Sequence, residues 1–297
     1  MEMQNINMKR DFIGKAIFFV AFVTILVVAV YGFSGHLMRE RHNSLTTTKP
    51  GETSEAAVTE ETNENKTTEA TTEAEKTTNR DDLPSPTDKL VCFTFDDGPY
   101  SPVTNKILDT FEKYNGKATF FVVGDRADTY GSVIKRASDM GCEIGSHSFS
   151  HANLTNLSVD QMQEEIRKSC DAISKYSGKK VKIIRPPEGA TNDTVKANIG
   201  MPMVMWSVDS RDWDYRNAEK DFETVMDNVY DGSIILMHDL YPATADAVAR
   251  LVPALADQGY KFVTFSELME LRGVDVQPGE KYFSAAPQTP AEDAETE

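Results

Sequence analysis

Val91-Cys92-Phe93-Thr94-Phe95-Asp96-Asp97-Gly98-Pro99 is the stretch that decides the fold. Apolar, aromatic and β-branched residues run into two carboxylates and stop at Gly-Pro, the pattern of a buried strand closed by a tight turn. The strand delivers Asp96 and Asp97 side by side to its C-terminal edge. Adjacent like charges are costly unless a cation or a shared proton relieves them. An isolated Asp-Asp-Gly is more often a solvated turn. The meaning of the pair therefore depends on what the rest of the chain brings to the same edge.

Outward from this strand the pattern alternates. Strand-like runs fall at Leu90–Phe95, Ala118–Val123, Cys142–Ser146, Lys182–Arg185, Met203–Val208, Ser233–Met237 and Phe262–Phe265. Helix-like segments lie between most of them, among them Ser158–Tyr176, where Ser158 and Gln161 make a capping box. About seven βα repeats predict an α/β fold with a parallel sheet. No Gly-rich dinucleotide loop is present, so a closed or nearly closed barrel is expected, with its site at the C-terminal strand ends.

Those ends carry a concentrated set of polar residues. Ser146-His147-Ser148-Phe149-Ser150-His151 follows the third strand, and two histidines four apart can converge on one ion. Arg185-Pro186-Pro187-Glu188-Gly189 follows the fourth, a stiff turn that launches a permanent cation. Asp209-Ser210-Arg211-Asp212-Trp213 follows the fifth, and Leu236-Met237-His238-Asp239 ends the sixth. Each segment alone has a bland explanation as a salt bridge, a cap or a core residue. Three of the chain's five histidines on one rim with this many carboxylates do not.

These five segments, in this order, resemble the signature of the polysaccharide deacetylases of carbohydrate esterase family four, the NodB homology domain. The resemblance spans roughly residues 88–270 and is nearest to peptidoglycan N-acetylglucosamine deacetylases. It implies a distorted (β/α) barrel of about seven strands and a divalent metal, zinc first, with cobalt or nickel as alternatives. Asp97, His147 and His151 are then the metal ligands, and Asp96 the general base, paired with Arg185. His238 is the general acid, with Asp212 as its partner and Asp209 as the alternative; Trp213, Leu236, Pro187 and Glu188 line the substrate. The oxyanion would sit between the metal and a backbone N–H near Glu188. One position departs, since the family usually has Tyr where Glu188 stands. A carboxylate aimed into the cleft opposes developing negative charge, whereas a contribution through the backbone alone is unaffected.

The flanks set the location. Lys9, Arg10 and Lys15 precede an uncharged run, 16–38, long enough to span a bilayer as a helix. It is expected to be an uncleaved signal anchor, leaving 1–15 in the cytoplasm and the remainder outside; cleavage would make the protein secreted. Residues 39–87 are a Thr/Glu-rich linker and 273–297 an acidic tail, both expected to be disordered around a catalytic domain at 88–272. A net charge of -16 excludes a nucleic-acid partner, and no protein partner is evident. Three cysteines are too few for a disulfide framework, though a Cys142–Cys170 pair stays open. Placement beside a cell wall points to N-acetylglucosamine of peptidoglycan as substrate. N-acetylmuramic acid, chitin-type oligomers and acetylated xylan are the alternatives, and a non-catalytic glycan-binding protein on the same fold is the competing class.

Overall fold

Strand β1 (Lys89–Asp96) is buried from its second residue to its last, as a central parallel strand covered on both faces must be. It pairs in parallel with β2 (Thr119–Val122) on one edge and with β6 (Ser233–His238) on the other. Below β2 on the first edge, β7 (Tyr260–Phe262) takes the start of β1. β2 continues to β3 (Glu143–Ser146), and β6 continues to β5 (Val208–Asp209). The computed structural model describes residues 83–287. The expected anchor at 16–38, the linker up to residue 82 and the tail from residue 288 lie outside the described residues. Among the described residues no helix is long and apolar enough to cross a membrane.

The ring closes through single bridges. Ser146 pairs with Ile184, and Ile184 with Met203 at the start of β4 (Met203–Val204), from which the chain runs on into β5. The expected strand at 182–185 is thus one bridge residue, and 203–208 is split in two. The cause is local. Arg185 donates its Nε to the Val204 carbonyl and an Nη to that of Met205, both at 2.8 Å, so a buried side chain occupies acceptors that a ladder would use. Pro186 and Pro187 have no N–H with which to extend the strand.

The helices wrap this sheet. They are α1 (Ser101–Lys113), α2 (Ala127–Asp139), α3 (Val159–Ser177), α4 (Asp193–Asn198), the short α5 (Asp212–Tyr215), α6 (Ala218–Asn228), α7 (Pro242–Asp257) and α8 (Phe265–Leu271). Helix α3 starts with the expected capping box between Ser158 and Gln161. Under α1 and α7 the Phe95 and Phe120 rings stack at 5.1 Å and Phe93 meets Phe111 edge-on at 5.5 Å. Truncating one such ring to Ala costs about 3–5 kcal/mol. The three cysteines are free.

The expected disordered tail at 273–297 needs correction as far as Pro287. Strand β8 (Lys281–Tyr282) pairs with β4, and the Ala285 N–H donates to the Gly232 carbonyl at 2.9 Å. This segment fills the gap between β4 and the start of β6. Its Gln-Pro-Gly-Glu-Lys composition reads as loop because the donors and acceptors it satisfies belong to a strand some 75 residues earlier.

Candidate active site

All the parallel strands point the same way, so their C-terminal ends form one rim. Asp97 leaves β1 with φ at 71°, a left-handed value that turns its carboxylate across the rim. Asp97 Oδ1 lies 3.4 Å from His147 Nε2 and 3.2 Å from His151 Nε2. It is nonetheless buried without a hydrogen bond. His147 is almost fully buried, and its Nδ1 is 2.7 Å from the Arg185 carbonyl, which has no proton to give. The proton therefore sits on Nδ1, and the Nε2 lone pair faces Asp97. A buried, unsatisfied carboxylate oxygen met by an imidazole lone pair suits a divalent cation, and the three ligand atoms lie within 4.8 Å of one another. Burial alone would raise the Asp97 pKa, but in the metal-free site the imidazoles of His147 and His151, when protonated on Nε2, hold it well below the usual carboxylate range. The contact with Asp97 raises that of His151, with Asp96 and Glu188 adding to it.

Asp96 stands beside this set. Its Oδ1 accepts from Arg185 at 2.8 Å, and its Oδ2 is 3.8 Å from His147 Nε2, leaving that oxygen free toward the cavity. Arg185 is completely buried, with its guanidinium 4.4 Å from the Phe121 ring centroid. A buried cation fixed by two carbonyls and an aromatic face keeps Asp96 oriented and its charge compensated.

Sheet register supplies the third group. Asp96 and His238 are direct partners across the β1–β6 ladder, so their side chains rise on the same face. Asp212 is fully buried and accepts both the ring Nδ1–H of His238 at 2.8 Å and its backbone N–H at 2.7 Å. Thr244 adds a hydroxyl to the same carboxylate at 2.6 Å. Burial opposes the charged imidazole, yet Asp212 prevails and raises the His238 pKa to about 9, helped by Asp96 and Asp97. Asp209, the alternative partner, instead accepts the Arg211 N–H at 2.8 Å and closes the turn before α5.

A cavity of about 370 Å³ joins Asp96, Asp97, His147, His151 and His238, with Glu188, Asp209, Trp213 and Leu236 also lining it. Arg185 and Asp212 lie behind it and act through the groups in front, as positioning residues. Pro187 does not reach the cavity. It is buried at the start of the Pro187–Gly189 turn, where its ring stiffens the backbone. Glu188 adopts φ 61°, which turns its carboxylate toward Asn153 Nδ2 at 2.8 Å. Gly189 is fixed by contact, because a Cβ there would sit 2.9 Å from the Trp206 ring. Among the described residues, six of the seven left-handed non-glycine residues (Asp97, Ser148, His151, Glu188, Arg211 and Arg216) lie in the loops that build this rim. Such strain persists where the surroundings over-determine the backbone.

Several residues here were not singled out from the sequence. Glu165 on α3 accepts the backbone N–H groups of Phe149 and Ser150 at 3.0 and 2.9 Å, pinning the loop between the two histidines. No sequence signal marks it, since a Glu on a helix face is ordinary. Trp206 lines the cavity, and Arg185 lies 5.5 Å from its ring centroid. Asp239 is buried against Gly98, where a Cβ would fall 2.0 Å from its Oδ1. Burial raises its pKa to about 7, although the Thr104 hydroxyl donates to it at 2.6 Å.

Known proteins resemble this chain in sequence and fold. Residues 84–204 match the family described as polysaccharide deacetylase. The chain is 41% identical over 193 residues to the peptidoglycan-N-acetylmuramic acid deacetylase PdaC of Bacillus subtilis, covering 65% of this chain and 41% of that protein. It is 34% identical over 193 residues to a peptidoglycan-N-acetylglucosamine deacetylase of Bacillus cereus, covering 62% of this chain and 90% of the relative. The solved family 4 acetyl xylan esterase of Clostridium thermocellum, in complex with a cobalt ion, superposes with a TM-score of 0.63 at 40% identity, over 66% of this chain and 98% of the other. The chain spans about two fifths of the length of the first curated relatives it matches. By this sequence match, by its parallel sheet and by the residues at its strand ends, the chain belongs to the polysaccharide deacetylase family.

Proposed function

We propose that this protein is a metal-dependent hydrolase that removes N-acetyl groups from a cell-wall glycan, with N-acetylglucosamine of peptidoglycan as its substrate. The observation that carries this is the register pairing of Asp96 with His238 across β1 and β6, beside the Asp97, His147 and His151 set. A divalent cation on those three residues, zinc in this proposal, supplies Lewis acidity toward the acetyl carbonyl and makes water a better nucleophile. Asp96 takes a proton from the attacking water through Oδ2 while Arg185 holds Oδ1. His238, whose Nδ1 is committed to Asp212, gives the proton on Nε2 to the departing nitrogen as the C–N bond breaks. The products are acetate and a free amine on the sugar. Leu236, two residues before His238 on the same face of β6, gives the acetyl methyl an apolar wall.

Zinc-loaded protein given purified peptidoglycan is expected to release acetate, with free amine on glucosamine trapped by dinitrophenylation before acid hydrolysis. Amine on muramic acid alone would move the substrate to the neighbouring sugar. The likeness to an acetyl xylan esterase favours a second reading, ester hydrolysis on acetylated xylan, and acetate from xylan but not from peptidoglycan would establish it.

We also propose that the apolar run at 16–38 anchors the protein with its catalytic domain outside the cytoplasm, the linker giving it reach into the wall. Protease added to intact, wall-stripped cells should shed a soluble catalytic fragment by cutting within 46–86. Protection until the membrane is broken would reverse the orientation.

A further inference from the structure

Arg216 ends α5 with φ at 48°, and its Nε donates to the Trp213 carbonyl at 2.8 Å. Its guanidinium carbon lies 3.3 Å from the centroid of the Tyr241 ring, which is itself 6.1 Å from that of His238. Stacking and one hydrogen bond thus hold a cation beside the acid end of the cavity. Among the described residues no carboxylate pairs with it. Its neighbour Arg211 differs, being neutralised by Asp214 at 2.9 Å. On the His151 side stands Glu188, its carboxylate held by Asn153. The cleft is therefore polarised, with a fixed anion at the His151 end and an open cation at the His238 end.

We propose that Arg216 reads a carboxylate on the sugar next to the one that loses its acetyl group. A stacked guanidinium with its terminal amino groups open offers a planar fork that fits a carboxylate in two-point fashion. Glu188 places a negative charge at the opposite end, so the favourable carboxylate contact is confined to the Arg216 side. This inference rests on the deacetylase function proposed above and narrows its substrate. In a wall glycan of alternating N-acetylglucosamine and N-acetylmuramic acid, the acid is the lactyl group or a peptide carboxylate joined to it. N-acetylglucosamine then occupies the metal site and muramic acid the Arg216 side.

The test compares the zinc-loaded full chain with Arg216→Gln and Arg216→Lys on three substrates. These are a neutral N-acetylglucosamine oligomer, wall glycan stripped of peptide, and peptide-bearing wall glycan. Arg216→Gln should lower the kcat/KM preference for acid-bearing over neutral substrate about tenfold, the loss of one charge-assisted contact, and through KM rather than kcat. Arg216→Lys should keep part of the preference, and added salt should erode it in the wild type. A loss confined to peptide-free glycan assigns the lactyl carboxylate; one confined to peptide-bearing glycan assigns the peptide. Equal changes on all three substrates, or none, would overturn the proposal while leaving the deacetylase function intact. Acetate from none of the three would overturn that function itself.

Discussion

His147→Ala/His151→Ala protein should carry little zinc after loading and dialysis, and its acetate release should fall on the order of 10³-fold or more. The loss has two parts. Two of the three proposed ligands disappear, and Asp97, whose buried Oδ1 has no hydrogen bond, keeps its charge with nothing to neutralise it. Metal analysis separates this from a folding defect if the far-ultraviolet circular dichroism is unchanged. Bound zinc at the wild-type ratio would remove these histidines from the metal site. Asp96→Asn provides the contrast. It should keep the metal and lose turnover by about 10²-fold or more, since an amide accepts no proton at neutral pH.

The second large effect belongs to the His238–Asp212 pair. His238 must be charged to donate, so activity is lost as pH rises through its pKa, which defines the alkaline limb of the profile. Asp212 places that limb above the ordinary histidine value of 6.5 and toward about 9, and a cation on Asp97 cancels part of the rise. Asp96 must be ionised to accept the proton of the attacking water. Asp212→Asn should reduce kcat by about 10²- to 10⁴-fold and move the alkaline limb of the remaining activity to lower pH. The direction follows from sign: removing a negative charge from the imidazolium makes the proton easier to lose. His238→Asn should keep the metal and flatten that limb. If it strips the metal, His238 is a ligand; if the limb of Asp212→Asn stays in place, the carboxylate does not set it.

Much of this was legible because it is local. A parallel strand announces itself by an unbroken apolar run, and whatever follows the run stands on the rim. Asp96, Asp97, His147, His151, Arg185 and His238 could therefore be placed together before any coordinates. Three decisions came only from the tertiary structure. Asp212 rather than Asp209 meets His238, because Arg211 turns through φ 58° and sends the next carboxylate inward. Glu188 faces Asn153 because its own backbone is left-handed. Residues 281–285 complete the sheet because β4 and Gly232 offered partners that no local pattern reveals. The physical reason is common to all three. Periodicity and end chemistry are properties of neighbouring residues, whereas a left-handed turn at a residue with a side chain, or a bond to a distant strand, is favourable only once the rest of the barrel is in place.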